Sequence, residues 1–299
     1  MHACRFLKLI FIIEWIKALL LRSKLFTRLA TKLVYLLPNS LGNLVSGIEI
    51  QQESRHAIAD FLNHSSFQTI NLIDVGCFKG GFLKAFQSLI RKRILSIGID
   101  PIRHNHIVPY SAFVEAAVAN RLDGIYDFYE YNDPSLNSLK RIITSDVSHN
   151  GQKRNRKFLL KNHVGTLAVR TVKTMRLSTI IKRFKMENEI IHFLKIDVQG
   201  CDLEVFLSLG EYIKNCLFVQ LETIYSKDKN MVVYENQTIF EEEKPIIEKL
   251  GFKLFSCVDF SEIGTNPEAD VIFVNEEIIR THNLENLLRR VMRGNTFFI

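Results

Sequence analysis

Two short runs carry the side chains best placed to do chemistry. The first is Ile73-Asp74-Val75-Gly76-Cys77-Phe78-Lys79-Gly80, an apolar stretch leading into a turn with glycines at its first and fifth positions. Gly76 lets the backbone turn sharply and approach a ligand closely, and Gly80 can open a helix with no side chain in the way. Such a turn is common by itself. It gains weight because the next β-rich run, residues 94–99, ends at Asp100. That acid stands about twenty-five residues downstream, where a nucleoside-binding α/β fold sets a carboxylate on ribose hydroxyls. A purely structural reading would leave the glycines as turn residues and Asp100 as a helix cap. No Gly-Lys-Ser/Thr follows, so this is not a Walker phosphate loop, and position 78 is not glycine as the dinucleotide pattern requires. A nucleoside with a small charged tail fits better than a pyrophosphate.

The second run is His192-Phe193-Leu194-Lys195-Ile196-Asp197-Val198-Gln199-Gly200-Cys201-Asp202. An acid at the carboxyl end of an apolar strand lies at the ligand-facing edge of an open α/β sheet, which makes Asp197 the leading candidate for a chemical role. The plainer alternative is that Asp197 only accepts loop amides. Lys195 is expected to point toward a neighbouring helix or solvent, and His192 to be structural, at the opposite end of the strand.

These runs need a scaffold that alternates strand and helix, and the chain has that alternation. Strands are expected at residues 70–75, 94–99, 113–118, 125–131, 171–176, 190–196, 217–221, 251–257 and 269–275. Helices are expected at 52–64, 80–91, 202–209 and 239–250, with Ser178 as a possible N-cap of another. The pattern predicts a mostly parallel sheet with helices on both faces and an antiparallel edge strand. A hydrophobic content of 47% is enough for a sizeable core.

The net charge of +7 is concentrated in one place. Arg5, Lys8, Lys17, Arg22, Lys24, Arg28 and Lys32 face only Glu14 within residues 1–37, leaving +1 for everything else. A phosphate-reading protein usually spreads its basic residues over the folded surface. This arm reads as one or two basic amphipathic helices, either lying on an anionic membrane or packing on the main domain or a dimer partner. Its charges interrupt every apolar run, so it neither spans a bilayer nor resembles a secretory signal. Pro38-Asn39-Ser40 marks the boundary between an extension, residues 1–40, and a domain, residues 41–299. Five scattered cysteines without a CxxC pair argue against disulfides and zinc, and for a reducing, cytoplasmic setting with peripheral membrane contact as an option.

With these residues in hand, the run KIDVQGCDLEVFLSLG closely resembles the signature KIDvEGaElevLkGa of FkbM-type methyltransferases. The similarity continues in family order through IDVGCFKGGF, GIDPIRHN, AAVANRLDGIYDFYEYNDPSLNSL, TVKTMRLSTII, VQLET and ADVIFVN, roughly residues 69–276. The resemblance implies a Rossmann-like class I methyltransferase fold that uses S-adenosylmethionine. It implies O-methylation of a hydroxyl on a sugar, glycolipid or related natural product, with no metal assigned. By position, Asp74, Gly76, Cys77 and Gly80 would hold the methionine end of the cofactor. Asp100 would bind the ribose, and Ala116 and Ala117 would lie near the adenine. Asn132, Ser138 and Gln199 would lie toward the acceptor, and Asp197, with Glu222 beside it, would be the catalytic pair. Gln199 stands where many members have Glu, so a carboxylate there is lacking, and Ser178 replaces the usual Asp. The arm falls outside the resemblance.

Methyl transfer from a sulfonium needs mainly alignment of a nucleophile, and a sugar hydroxyl is helped by a general base. Asn132-Asp133-Pro134-Ser135 is only distantly similar to the loop of amino-group methyltransferases and follows the wrong strand. Two other classes are consistent with parts of the chain. A nucleic-acid methyltransferase would use the basic run Lys153-Arg154-Asn155-Arg156-Lys157, and an inactive protein would bind the cofactor or membrane without turnover.

Overall fold

The computed structural model describes residues 54–143, 168–225, 232–259 and 268–293. The basic arm, the boundary near residue 40 and the basic run at 153–157 lie outside them. Helix α1 covers described residues 54–64. The chain then forms β1 (Thr69–Val75), α2 (Gly81–Gln87), β2 (Arg93–Asp100), β3 (Ala112–Glu115), β4 (Ala117–Val118) and β5 (Gly124–Glu130). It continues with β6 (Ala168–Met175), α3 (Leu177–Arg183), β7 (Ile191–Ile196), α4 (Asp202–Leu207) and β8 (Cys216–Ile224). Last come α5 (Phe240–Lys249), β9 (Phe252–Asp259), β10 (Glu268–Asn275), α6 (Glu276–Thr281) and α7 (Glu285–Arg293).

Seven strands make one sheet in the order β3-β2-β1-β7-β8-β10-β9. The first five run parallel, β10 runs against β8, and β9 closes the edge by pairing antiparallel with β10. Central strands covered on both faces must be apolar on both, and β1 and β7 are buried almost throughout. Successive side chains alternate between two cores. Leu72, Phe193 and Phe218 pack with α1, α2, α6 and α7. Ile73, Leu194 and Val219 pack with α3, α4 and α5. Both faces are therefore helix-covered, as the alternation predicted.

Three expectations change. The strand expected at 113–118 breaks at Ala116: β3 joins the large sheet, whereas β4 joins a separate three-stranded sheet, β4-β6-β5. The strands expected at 125–131 and 171–176 belong to that small sheet, paired antiparallel from Gly124↔Thr174 to Glu130↔Ala168. Their exposed Ile125, Asp127, Arg170 and Lys173 explain why, since a strand inside the large sheet must be buried on both sides. Ser178 is not a cap. Helix α3 starts from Arg176, and Ser178 N–H instead donates to the carbonyl of Ser208.

Candidate functional site

Gly76 joins the ends of two strands. Its φ is +70°, and a Cβ there would lie 1.8 Å from the carbonyl oxygen of Asp197, so only glycine lets the exits of β1 and β7 run this close. Asp197 N–H donates to Val75 O at 3.1 Å, and Gly76 N–H to Ile99 O at 2.9 Å, which ties β7, β1 and β2 together at one point. Beyond it, Asp100 accepts Phe78 N–H on Oδ2 at 3.0 Å and Ile102 N–H on Oδ1 at 2.9 Å. Burial raises the Asp100 carboxyl above its usual range, and these two amides pull against that rise.

The strand register dictates a second feature. Asp74 and Lys195 are direct partners across β1 and β7. Lys195 Nζ therefore sits 3.4 Å from Asp74 Oδ1, 3.1 Å from Asp197 Oδ2 and 3.1 Å from Gly76 O. The expectation that Lys195 would face a helix or solvent is overturned: it is buried at the strand ends. Burial alone would strip its charge, but Asp197 and Asp74 outweigh that and hold the ammonium charged. Asp74 is fully buried, and its Oδ2 accepts the hydroxyl of Tyr110 at 2.5 Å.

Over these groups lies a cavity of about 490 Å³ at the carboxyl ends of the parallel strands, within the usual size for a small-molecule site. The Gly76 turn and β2 contribute Gly76, Phe78 and Asp100, and the junction of β3 and β4 contributes Ala116 and Ala117. The ends of β7, β8 and β10 add Asp197, Gln199, Glu222 and Glu268. Among the described residues, five that line it carry carboxyl groups, counting Asp100 and Asp133, and none is lysine or arginine. Such a lining favours a cationic ligand.

Gln199 lies between the carboxylates. Its Nε2 donates to Asp197 Oδ1 at 3.0 Å and to Glu222 Oε2 at 2.8 Å, and its Oε1 accepts the Tyr234 hydroxyl at 3.0 Å. Burial first, then the charges of Asp197, Glu268, Asp202 and Asp270, push the Glu222 carboxyl well above its ordinary range. Among the described residues, no three His, Cys, Asp or Glu side chains gather so as to hold a metal ion.

Residues 74–263 match the family profile described as Methyltransferase FkbM domain. The chain belongs to the FkbM methyltransferase family. No curated protein matches it in sequence. Among solved structures, it is similar to one from Clostridium thermocellum provisionally described as an rRNA-methylase, at 11% identity and a TM-score of 0.31. That similarity covers 72% of this chain and 94% of the other.

Within this FkbM domain, the residues named from sequence divide into two groups. Gly76, Asp100, Ala116, Ala117, Asp197, Gln199 and Glu222 all line the cavity. Asp74, Cys77 and Gly80 stand behind the turn. Asp74 lies under Tyr110, Cys77 is buried with Sγ 3.9 Å from His106 Nε2, and Gly80 is the left-handed N-cap of α2. Asn132 and Ser138 do not line the cavity; the buried Ser138 hydroxyl donates to Gln199 O at 2.7 Å. His192 is buried at the start of β7, where its Nδ1 accepts Asn71 N–H at 3.0 Å. Burial lowers its pKa to about 4, so it is neutral and structural. Sequence reasoning missed Phe78, His104 and Glu268 in the lining, and Tyr110 and Tyr234 behind it. Glu268 directly precedes the recognisable ADVIFVN run, a signal that could have found it.

Proposed function

We propose that this protein is an S-adenosylmethionine-dependent methyltransferase that O-methylates a hydroxyl of a sugar, glycolipid or related natural product. The observation that carries the reading is the acidic lining, without lysine or arginine among the described residues, of a cavity built on the Gly76 turn and Asp100. S-adenosylmethionine carries positive charge on its sulfonium and its ammonium, and its sulfonium supplies the activated methyl group when bound.

The residues present fit that cofactor. Gly76 leaves open a backbone approach that any Cβ would block. Asp100 uses one lone pair on each oxygen for a backbone amide and keeps others for ribose hydroxyls. Ala116 and Ala117 are small enough to let a flat base lie against them. Asp197, ion-paired with Lys195, is the base that takes the acceptor proton, and Glu222, with its raised carboxyl, helps to orient the acceptor hydroxyl. The same lining disfavours a phosphate-bearing acceptor at the reacting end. The basic arm is the part that would hold the enzyme reversibly on an anionic membrane, near a lipid-linked sugar.

The test is incubation of the full chain with labelled S-adenosylmethionine and extracted glycolipids and polysaccharides, followed by mapping of the labelled product. Label on a sugar hydroxyl supports the reading. Label on RNA or DNA only, or cofactor binding with no transfer to any extract, would replace it.

A further inference from the structure

Three polar groups meet around one neutral side chain at the floor of the cavity. A carboxylate cannot donate, so Gln199 must present its amide N–H groups to Asp197 and Glu222 and its oxygen to Tyr234. This orientation is dictated by its neighbours, and it uses both amide hydrogens and the oxygen.

The backbone beneath it is held with equal care. Gln199 has φ +58° and Gly200 +86°, and a Cβ on Gly200 would lie 2.8 Å from the Tyr234 ring. Ser138 Oγ donates to Gln199 O at 2.7 Å, and Lys140 Nζ donates to Gly200 O at 2.9 Å while pairing with Glu204 at 2.7 Å. Tyr234 hydroxyl also lies 3.0 Å from Leu136 O, in the loop that walls the cavity. A left-handed glutamine is costly without such supports.

We propose that Gln199 is a positioning residue whose amide bridges Asp197 and Glu222, fixing the spacing of the two carboxyl groups and favouring the ionised form of Glu222 against the burial that opposes it. Its role is then not to grip the acceptor but to set the spacing of the groups that do and the protonation of Glu222. Catalytic use of the pair rests on the methyltransferase reading; the bridge itself does not.

The groups facing the pair set the pH dependence. Lys195 lies on the β7 side, Asp202 on α4, Glu268 and Asp270 on β10, and Tyr234 above. Lys195 is the only cation among these, so the pair is short of positive charge and depends on neutral donors. The amide stabilises ionised carboxylates. Its contribution is therefore present at alkaline pH and fades as Glu222 is protonated, when the Glu222 carboxyl can itself donate.

The test compares melting temperatures of wild type, Gln199→Met and Gln199→Glu from about pH 4.5 to pH 9. Gln199→Met, similar in size but without a donor, is expected to melt about 3–8 °C lower at pH 8–9 and to converge on wild type near pH 4.5. Gln199→Glu, which can donate only when protonated, should follow the same trend with a larger loss at high pH. Selective ¹³Cδ labelling of glutamate should show the Glu222 carboxyl taking up its proton at higher pH in Gln199→Met. A loss of the same size at every pH, or an unmoved Glu222 titration in a folded variant, would reduce Gln199 to packing and overturn the proposal. Failure of wild type to bind S-adenosylmethionine would remove the methyl-transfer reading while leaving this pH signature in place.

Discussion

Replacing Lys195 by methionine is a severe test of how the strand ends are held. Methionine keeps most of the volume, so the loss is chiefly electrostatic. In the wild type, the Lys195 ammonium stands 3.4 Å from Asp74 and 3.1 Å from Asp197. The two halves are unequal. The Asp197 side chain is 40% exposed, and water screens much of that pair. The Asp74 side chain is 0% exposed, and without Lys195 its remaining partner is the Tyr110 hydroxyl. Removing one partner of a buried ion pair costs roughly 3–5 kcal/mol, because the other charge is left in a poor solvent. Urea unfolding at pH 7, read by far-ultraviolet circular dichroism, should show a loss in that range. Burial already raises the Asp74 carboxyl, and loss of Lys195 raises it further. An acid whose folded pKa is raised stabilises less as pH climbs from its unfolded to its folded value, so the defect should shrink toward acid pH. Asp74→Asn in the Lys195→Met background should recover part of the loss, a coupling that independent sites do not show. A single-variant loss below about 1 kcal/mol at pH 7, with no recovery in the double variant, would refute the idea that the pair holds the site together.

Other outcomes follow from the site. Titration calorimetry should find micromolar binding of S-adenosylmethionine, about −8 kcal/mol. Asp100→Ala should weaken it by roughly 10- to 100-fold, the worth of a charge-assisted hydrogen bond, and unaltered affinity would remove Asp100 from the ribose. Once labelling has identified the acceptor, Asp197→Asn should bind cofactor normally but turn over about 10²–10⁴-fold more slowly, and full activity would transfer the base role to Glu222. Full-length protein should float with anionic liposomes at low salt and release as salt rises, while a chain starting near Leu41 stays soluble and binds cofactor. If the shorter chain misfolds and the full chain ignores liposomes, the arm belongs to the core.

The parts of the fold legible in sequence were those where burial and backbone geometry leave a local trace. A strand covered on both sides needs an unbroken apolar run, and β1 and β7 have one. A left-handed turn pressed against another strand needs glycine, and Gly76 stands there. Asp100 and Asp197 were found because each ends such a strand. Lys195 was misread because a lysine looks like a surface residue until its buried partner is known, and Asp74 is a neighbour only through strand register. Tyr110 and Tyr234 have no local pattern either; each is placed by a glycine it fills, Gly98 and Gly200 respectively. The run at 113–118 reads as one strand because nothing in its composition announces that Ala116 passes the chain from one sheet to another.

The long reach of Lys195 also bears on how the molecule comes into being. Lys195 closes on Gly76 across 119 residues of chain, and β7 slots between β1 and β8 in the finished sheet. Compared with a ten-residue loop, closing so long a one costs about 2 kcal/mol more in chain entropy, recovered only when the strands pair. Until β7 arrives, β1 has an apolar open edge during synthesis, a surface on which other chains can pair. The Gly76 turn meets the buried lysine only once β7 pairs with β1, and Glu222 joins Asp197 only once β8 follows. A nascent or truncated chain ending before β7 is expected to need shielding, because it lacks the strand that covers β1.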